Sequence, residues 1–213
     1  ISLRLVGSEM CIRDRPKEMT IEDINRVKED FKNAAIRANI AGFDIIEIHG
    51  AHGYLLHSFF SPISNMRNDQ YGGNFENRIR FAMEIIADIK SVWPENKPLF
   101  YRLSSIDAPG QGATIEDNVQ LAKSLKIAGV DVIDCSSGGI TGSPVLTKSK
   151  IIPGFQVPYS EKIKKEAEIS SMAVGAIINA DQANEIILNK RADLVAIGRE
   201  LLADTQWVYK AAT

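Results

Sequence analysis

The amino-acid sequence predicts an α/β fold built from repeated helix and strand units. Apolar residues at helical spacing alternate with short apolar stretches of strand length five times along the chain. Similar phrases beginning at Ala41 and Ala128 place a glycine between helix and strand, an order typical of a parallel sheet. Because no Gly-x-Gly-x-x-Gly turn is present, the pattern favours a (β/α) barrel over a doubly wound sheet.

The first unit begins near Thr20, which has the spacing of a capping box with Asp23. Apolar residues within 24–38 continue at helical spacing, and Gly42 is expected to end the helix. Residues 43–48 then predict a buried strand.

Four further units repeat this order. The expected helix and strand pairs are 75–93 with 98–103, 114–128 with 130–135, 159–168 with 172–177, and 181–190 with 193–197, before a final helix from about residue 200. A closed barrel has eight units in about 250 residues. Five units therefore predict either a doubly wound domain or a barrel whose N-terminal part is not included.

Composition narrows the classes of function. The 25 Lys and Arg residues against 27 Asp and Glu residues provide no basic surface for a row of phosphates, so nucleic acid is not expected as a partner. Apolar runs are too short to cross a bilayer. Two cysteines, Cys11 and Cys135, cannot form a disulfide framework, which favours a reduced, cytoplasmic setting.

The first fifteen residues differ from the rest of the chain. They lack the sustained apolar segment of a targeting signal and resemble translated adaptor sequence. We therefore expect a non-native leader over residues 1–15 and part of one domain over residues 16–213.

Two histidines and a tyrosine follow the first predicted strand. His49, His52 and Tyr54 lie where α/β barrels place their active sites. Imidazole N–H groups can polarise a carbonyl oxygen, and a phenol can give up a proton. The alternatives are structural histidines or a metal pair, but only His57 could complete a metal site and the spacing is not that of a zinc protease. No metal is therefore predicted.

A long polar loop is expected over residues 61–73. Long loops in compact domains are usually functional or disordered. A plain surface loop is plausible over residues 65–70, but less so for Tyr71 and the two glycines after it.

Three later positions suggest a bound anion and a bound cofactor. Gly175 and Gly198 end the last two predicted strands, and Arg199 follows directly, so backbone N–H groups and a guanidinium could bind a phosphate. Arg102 lies in an otherwise apolar strand. It either extends from the strand tip into solvent or faces an electron-rich cofactor.

Several motifs in one order resemble the old yellow enzyme family of flavin-dependent ene reductases, in its bacterial xenobiotic-reductase-like (NADPH dehydrogenase) branch. They are His49-x-x-His52-x-Tyr54, Ser61-Pro62-x-Ser64-Asn65-x-Arg67, Asp69-x-Tyr71-Gly72-Gly73-x-x-Glu76-Asn77-Arg78, Asp134-Cys135-Ser136-Ser137-Gly138 and Ile197-Gly198-Arg199-Glu200-Leu201-Leu202. The resemblance implies a (β/α)8 TIM barrel, of which about the last five units are present.

The resemblance also implies the chemistry. Flavin mononucleotide (FMN) would take hydride from NADPH or NADH and pass it to an electron-poor alkene. His49 and His52 would hold the substrate oxygen, and Tyr54 would protonate the α-carbon. Arg102 would face the flavin ring. The phosphate would be bound by a set of residues from the last two strand ends: Gly175, Ala176, Gly198 and Arg199.

Some features of the family are absent from this sequence. The first three strands are missing, and the chain stops at Thr213, before a tail that can reach a neighbouring subunit. The expected partners are small electrophilic alkenes and, at full length, another copy. The alternatives are a 2,4-dienoyl-CoA reductase-like enzyme with FMN and an iron–sulfur cluster, an inactive fragment, or an aldolase-like phosphate-binding barrel, which the lack of a strand-end lysine disfavours.

Overall fold

A computed structural model describes residues 17–141 and 152–212. Five strands alternate with helices along this part of the chain. In order, the elements are α1 (Ile21–Ile40), β1 (Ile46–Gly50), α2 (Leu55–Phe60), α3 (Phe75–Lys90), β2 (Leu99–Ser104), α4 (Ile115–Ile127), β3 (Val132–Ser136), α5 (Val157–Ala167), β4 (Ser170–Val174), α6 (Ala180–Leu188), β5 (Leu194–Ala196), α7 (Arg199–Ala203) and α8 (Trp207–Ala212).

The strands form one parallel sheet in the order β1-β2-β3-β4-β5. Each strand pairs with the next along the chain, whereas strand order reverses in a doubly wound sheet. The order is therefore that of consecutive barrel units, and the predicted α/β class and barrel type are confirmed. Parallel strands bring all their C-terminal ends to one edge.

Helix boundaries follow local signals that are visible in the sequence. The predicted capping box is present at the start of α1, where Thr20 and Asp23 each bond the other's backbone, and Thr114 with Asp117 repeats it at α4. Gly42 has a φ of +85° after α1, a conformation that glycine adopts at little cost.

The apolar core consists of two clusters. The larger one lies between β1–β3 and the helices from α1 to α5, and its fully buried side chains include Phe81, Tyr101 and Ile133. The smaller one joins β4 and β5 to α5 and α6 and is formed by Val157, Ala173, Ile177, Ile186 and Ala192. The sheet is thus packed more extensively on its β1–β3 side.

The first strand differs from its prediction. It begins at Ile46 rather than residue 43, and it includes His49 and Gly50, which the sequence placed after the strand. Phe43 and Ile45 are 60% and 46% exposed. Pairing with β2 starts only at Ile46, so residues 43–45 lie outside the sheet.

Helix α2 was not predicted. Its six residues, Leu55–Phe60, lie within the segment between Tyr54 and the polar loop. Leu56, His57, Phe59 and Phe60 are buried, which is too apolar and too short a run to separate helix from strand by periodicity.

The expected leader, residues 1–15, lies outside the described residues, and so does Cys11. Cys135 is a buried free thiol, and burial raises its pKa.

Among the described helices, none combines the length and the apolar character that crossing a membrane would need.

Candidate active site at the strand ends

The inner face of the sheet carries a row of polar side chains near the strand ends. His49 on β1, Arg102 on β2 and Asp134 on β3 are paired in register. Residues in register on parallel strands lie on the same face of the sheet. His49 and Arg102 were predicted as site residues, and the fold brings them side by side.

The turn after β1 completes the predicted trio. The ring centroids of His49 and His52 are 5.2 Å apart, and those of His49 and Tyr54 are 5.5 Å apart. His52 has a φ of +59°, followed by Gly53 at +78°. A left-handed histidine is strained and persists only where its surroundings hold it.

Hydrogen bonds from β2 and β3 hold His52 at both ends. Its backbone N–H donates to Ser104 Oγ at 3.0 Å, and the Ser104 hydroxyl donates to the Gly138 carbonyl at 2.7 Å. Its ring Nε2 lies 2.6 Å from Ser136 Oγ. The conformation of His52 is therefore set by residues from two other strands.

Close backbone packing supports the same turn. A methyl group on Gly53 would overlap the Gly139 carbonyl, and one on Gly139 would overlap the His52 backbone. Only glycine fits at both positions. The loop after β3 thus lies directly against the turn that carries His52.

A buried polar network supports the turn through the backbone N–H of Gly53. The Gly53 N–H donates to His57 Nδ1 at 2.9 Å, so this histidine carries its hydrogen on Nε2 and donates it to Asp107 Oδ1 at 2.7 Å. Asp107 also accepts hydrogen bonds from the Ser61 hydroxyl at 2.5 Å and the Ala113 N–H at 2.7 Å. The cost of burying the carboxylate would raise its pKa, but these three hydrogen bonds outweigh it and lower the pKa of Asp107.

The electrostatics keep the two site histidines neutral. Burial, reinforced by the positive charge of Arg102, lowers the pKa of His52 to about 4. The same two causes lower the pKa of His49. Neutral imidazoles can donate a hydrogen bond from one nitrogen without bringing a full charge into the site.

The guanidinium of Arg102 lies beside the Asp134 carboxylate, but its Nε makes no hydrogen bond with any described residue. Its Nε lies 3.1 Å from Asp134 Oδ2, but the geometry is not that of a hydrogen bond, and Arg102 Nε and Asp134 Oδ1 are buried without a hydrogen-bond partner in the described part of the chain. Burial raises the pKa of Asp134 to about 7, although Arg102 opposes the shift. Arg102 therefore does not extend freely from a strand tip, one of the two alternatives that its sequence position left open.

The other predicted positions lie at the ends of β4 and β5. Gly175 and Ala176 have φ values of +114° and +50°, and a methyl group on Gly175 would approach the Gln156 amide to 2.5 Å. Gly198 has no atom within 4 Å of the corresponding point, and Arg199 is exposed at the first residue of α7. Gln156 links neighbouring strand ends, because it accepts from Ser137 Oγ at 2.7 Å and donates to the Val174 carbonyl at 2.9 Å.

The loop over residues 61–73 is attached to its neighbouring helices by hydrogen bonds at Asn65 and Tyr71. Asn65 is buried and donates to the carbonyls of Phe59 and Tyr71, so the plain surface loop considered for residues 65–70 does not extend to Asn65. The Tyr71 hydroxyl donates to Glu84 at 3.0 Å. These contacts attach the loop to α2 and α3.

Sequence reasoning missed the residues that support the site. His57 was considered only as a third metal ligand, Asp107 was not considered, and Ser104 and Ser136 were given no role. A serine near a strand end is common, so only its predicted position at the same sheet edge as His52 could have drawn attention to it.

Comparisons with known proteins agree with this architecture. The chain is 52% identical over 197 residues to an NADPH dehydrogenase of Geobacillus sp. (strain WCH70) and 48% identical to one of Bacillus subtilis (strain 168), in each case over 92% of this chain and 56% of the relative. The chain thus spans about 56% of the length of these curated relatives.

Solved structures share the fold. A 2-naphthoyl-CoA reductase complex matches with a TM-score of 0.85 and 27% identity, covering 92% of this chain and 30% of that protein. Morphinone reductase in complex with tetrahydroNAD matches with a TM-score of 0.73 and 25% identity, covering 93% of this chain and 51% of that protein. Residues 5–213 match a family of FMN-dependent oxidoreductases, and the chain belongs to this NADH:flavin oxidoreductase / NADH oxidase family.

Proposed function

We propose that this chain supplies the substrate-binding side of an NAD(P)H-dependent ene reductase. The substrate would be an alkene activated by a carbonyl or nitro group. The observation that carries the proposal is the grouping of His49, His52 and Tyr54 at one strand end, beside Arg102 on the next strand. FMN, when bound, would accept hydride from the nicotinamide and deliver it to the β-carbon of the alkene.

The two histidines would bind the substrate oxygen. Both have a lowered pKa and so remain neutral near pH 7, where each can donate one hydrogen bond. Negative charge develops on this oxygen as hydride reaches the β-carbon, so donors already in place stabilise the transition state more than the ground state.

Tyr54 would supply the proton. Tyr54 is 66% exposed, and its ring lies 5.5 Å from that of His49, close enough for its hydroxyl to reach a substrate held by the histidines. Transfer of the phenolic proton to the α-carbon completes the addition of H⁻ and H⁺ across the double bond, and water returns a proton to the tyrosine.

The strand ends fit FMN in two respects. Arg102 Nε is a buried donor without a hydrogen-bond partner among the described residues, which suits an acceptor on a flavin ring. Gly198 leaves open space at the start of α7, next to the exposed Arg199, which suits a phosphate. Arg102 would hold the ring, and Gly175, Ala176, Gly198 and Arg199 would hold the phosphate.

A hybrid protein tests the proposal. In it, the matched residues of this chain replace the corresponding 197 residues of the Geobacillus sp. relative. We expect a yellow protein that oxidises NADPH with cyclohexenone. Tyr54→Phe should slow flavin reoxidation by the enone about 100-fold and leave flavin reduction by NADPH within about two-fold of the unmodified hybrid, as followed by stopped-flow absorbance.

Tyr159→Phe is the matched control, because it removes a phenolic hydroxyl on α5. A hybrid that folds without binding FMN would overturn the cofactor assignment. Equal slowing of both half-reactions by Tyr54→Phe would overturn the proton-donor role.

A second candidate is reduction of an unsaturated acyl-CoA thioester. The observation that favours it is the TM-score of 0.85 to the 2-naphthoyl-CoA reductase complex, against 0.73 for morphinone reductase. The same histidines would then hold a thioester oxygen. Comparing kcat/KM for a 2,4-dienoyl-CoA and for cyclohexenone in the hybrid separates the two candidates.

A further inference from the structure

The hydroxyl of Ser136 contacts the ring of His52 in a way that bears on catalysis. Ser136 Oγ lies 2.6 Å from His52 Nε2, and Ser136 is only 5% exposed. In the described part of the chain this is the one hydrogen bond made by that hydroxyl, and Nδ1 of His52 has no partner. The contact therefore occupies one ring nitrogen and leaves the other for a ligand.

The hydrogen in this contact can lie on either atom, with different consequences. If Nε2 carried it, the Ser136 oxygen would accept, and its own buried O–H would have no acceptor among the described residues. An unpaired buried donor is unfavourable. If the hydroxyl donates instead, both groups are satisfied, and the ring hydrogen of neutral His52 must lie on Nδ1.

We propose that Ser136 is a positioning residue, which holds His52 as the Nδ1–H tautomer and so makes it a hydrogen-bond donor to the substrate oxygen. The inference rests on the proposed function for the identity of the ligand, but not for the tautomer. In the opposite tautomer, Nδ1 would present a lone pair to an oxygen that becomes negative during the reaction, and the interaction would be repulsive.

The surroundings hold Ser136 in place. It is the last residue of β3 and is paired in register with Ser104 of β2, and its carbonyl accepts a hydrogen bond from the Ser105 N–H at 2.8 Å. Ser104 in turn accepts from the His52 backbone N–H. The backbone and the ring of His52 are thus tied to adjacent positions on two neighbouring strands.

Nitrogen NMR of the imidazole rings tests the tautomer directly. In the ¹⁵N-histidine-labelled hybrid without ligand, we expect the His52 signals to show a protonated Nδ1 and an unprotonated Nε2. Ser136→Ala should shift this tautomer ratio. Ser136→Thr, which keeps the hydroxyl, should restore it, and Ser160→Ala, which removes a buried hydroxyl from α5, should leave it unchanged.

Ligand binding provides the second measurement. Ser136→Ala should raise the Kd of 4-nitrophenol, a mimic of the enolate oxygen, about ten-fold, whereas Ser160→Ala should leave this Kd unchanged. A protonated Nε2 in the unmodified hybrid would overturn the proposal, even if Ser136→Ala failed to fold. An unchanged His52 spectrum in a folded Ser136→Ala variant would overturn it as well. Failure of the proposed function would appear differently: the hybrid would not bind FMN, or would not reduce the enone, although His52 still showed the Nδ1–H tautomer.

Discussion

The β1–β3 region and the β4–β5 region hold their predicted site residues by different means. β2 and β3 are buried at nearly every position, and hydrogen bonds from both strands fix His52. β5 has three residues, none of them fully buried, and Arg199 beyond it is exposed. The residues proposed to bind a substrate are thus held by contacts within the chain, whereas the proposed phosphate end is more exposed.

Each region also contains a non-glycine residue in the left-handed backbone conformation, and the surroundings of the two residues differ. The left-handed His52 lies in the region with the most buried polar contacts, which is where strain can be maintained. Ala176, also left-handed at φ +50°, lies in the region with the smaller core. Four predictions test whether the two regions differ as this contrast implies, in order of decreasing effect.

Removing Asp107 should have the largest effect. Asp107→Ala leaves His57, Ser61 and the Ala113 N–H without their shared buried acceptor. Because each buried donor left unsatisfied costs about 1–3 kcal/mol, we expect a total loss of about 3–5 kcal/mol. Urea unfolding of the hybrid measures the loss. Asp193→Ala, which removes an acceptor that bonds Lys164 and the Ser171 N–H beside β4, is the matched control and should cost about 1 kcal/mol. Equal losses would remove the distinction between the regions.

The pH dependence of stability should reveal Asp134. Its pKa rises from an ordinary 3.8 to about 7 in the folded protein, so the folded state binds the proton more tightly than the unfolded state. Its contribution to stability is therefore present at low pH and is lost as the pH rises from about 4 to about 7, by roughly 2–4 kcal/mol.

Asp134→Asn should abolish this part of the pH profile. The measurement is the free energy of unfolding of the FMN-free hybrid at several pH values, compared with that of the variant. Parallel profiles for the two proteins would show that Asp134 titrates normally.

Replacing two glycines at strand ends by alanine should change stability by different amounts. Gly50→Ala places a methyl group against the ring and hydroxyl of Tyr101, which is about 1% exposed and cannot move aside, so we expect a loss of about 2–3 kcal/mol. Gly198→Ala has open space around it and should change stability by less than about 0.5 kcal/mol. Thermal unfolding of both variants checks the contrast, and a destabilising Gly198→Ala would contradict it.

The smallest expected effect concerns Arg199. Because its guanidinium makes no ion pair with another described residue, Arg199→Ala should leave the unfolding free energy of the apoprotein unchanged. It should raise the Kd for FMN about ten-fold and leave the Kd for riboflavin unchanged, since only FMN carries the phosphate. Fluorescence titration with both flavins makes the comparison, and equal weakening would assign Arg199 a structural role. Lys190→Ala, in the turn after α6, is a control for loss of a surface charge.

Much of the architecture could be predicted from local sequence signals. The capping box at Thr20, the glycine after α1 and the five alternating units all have a cause within a few residues. The boundaries of β1 could not be predicted, because its hydrogen-bonded register with β2 decides which residues count as strand. Helix α2 was missed because its pattern is set by packing against α3 rather than by its own period.

The sequence by itself determined which chemical groups stand at the strand ends: one imidazole near the end of β1, a second imidazole and a phenol after it, and a guanidinium in β2. Their roles in catalysis and in FMN binding remain predictions. Only the tertiary structure decided what these groups contact. Ser136 meets His52 across 84 residues, and Asp107 meets His57 across 50, because parallel strands bring distant segments to one edge of the sheet. Which nitrogen of a histidine is free, and whether a carboxylate is charged, depends on those neighbours, and no local pattern in the sequence specifies them.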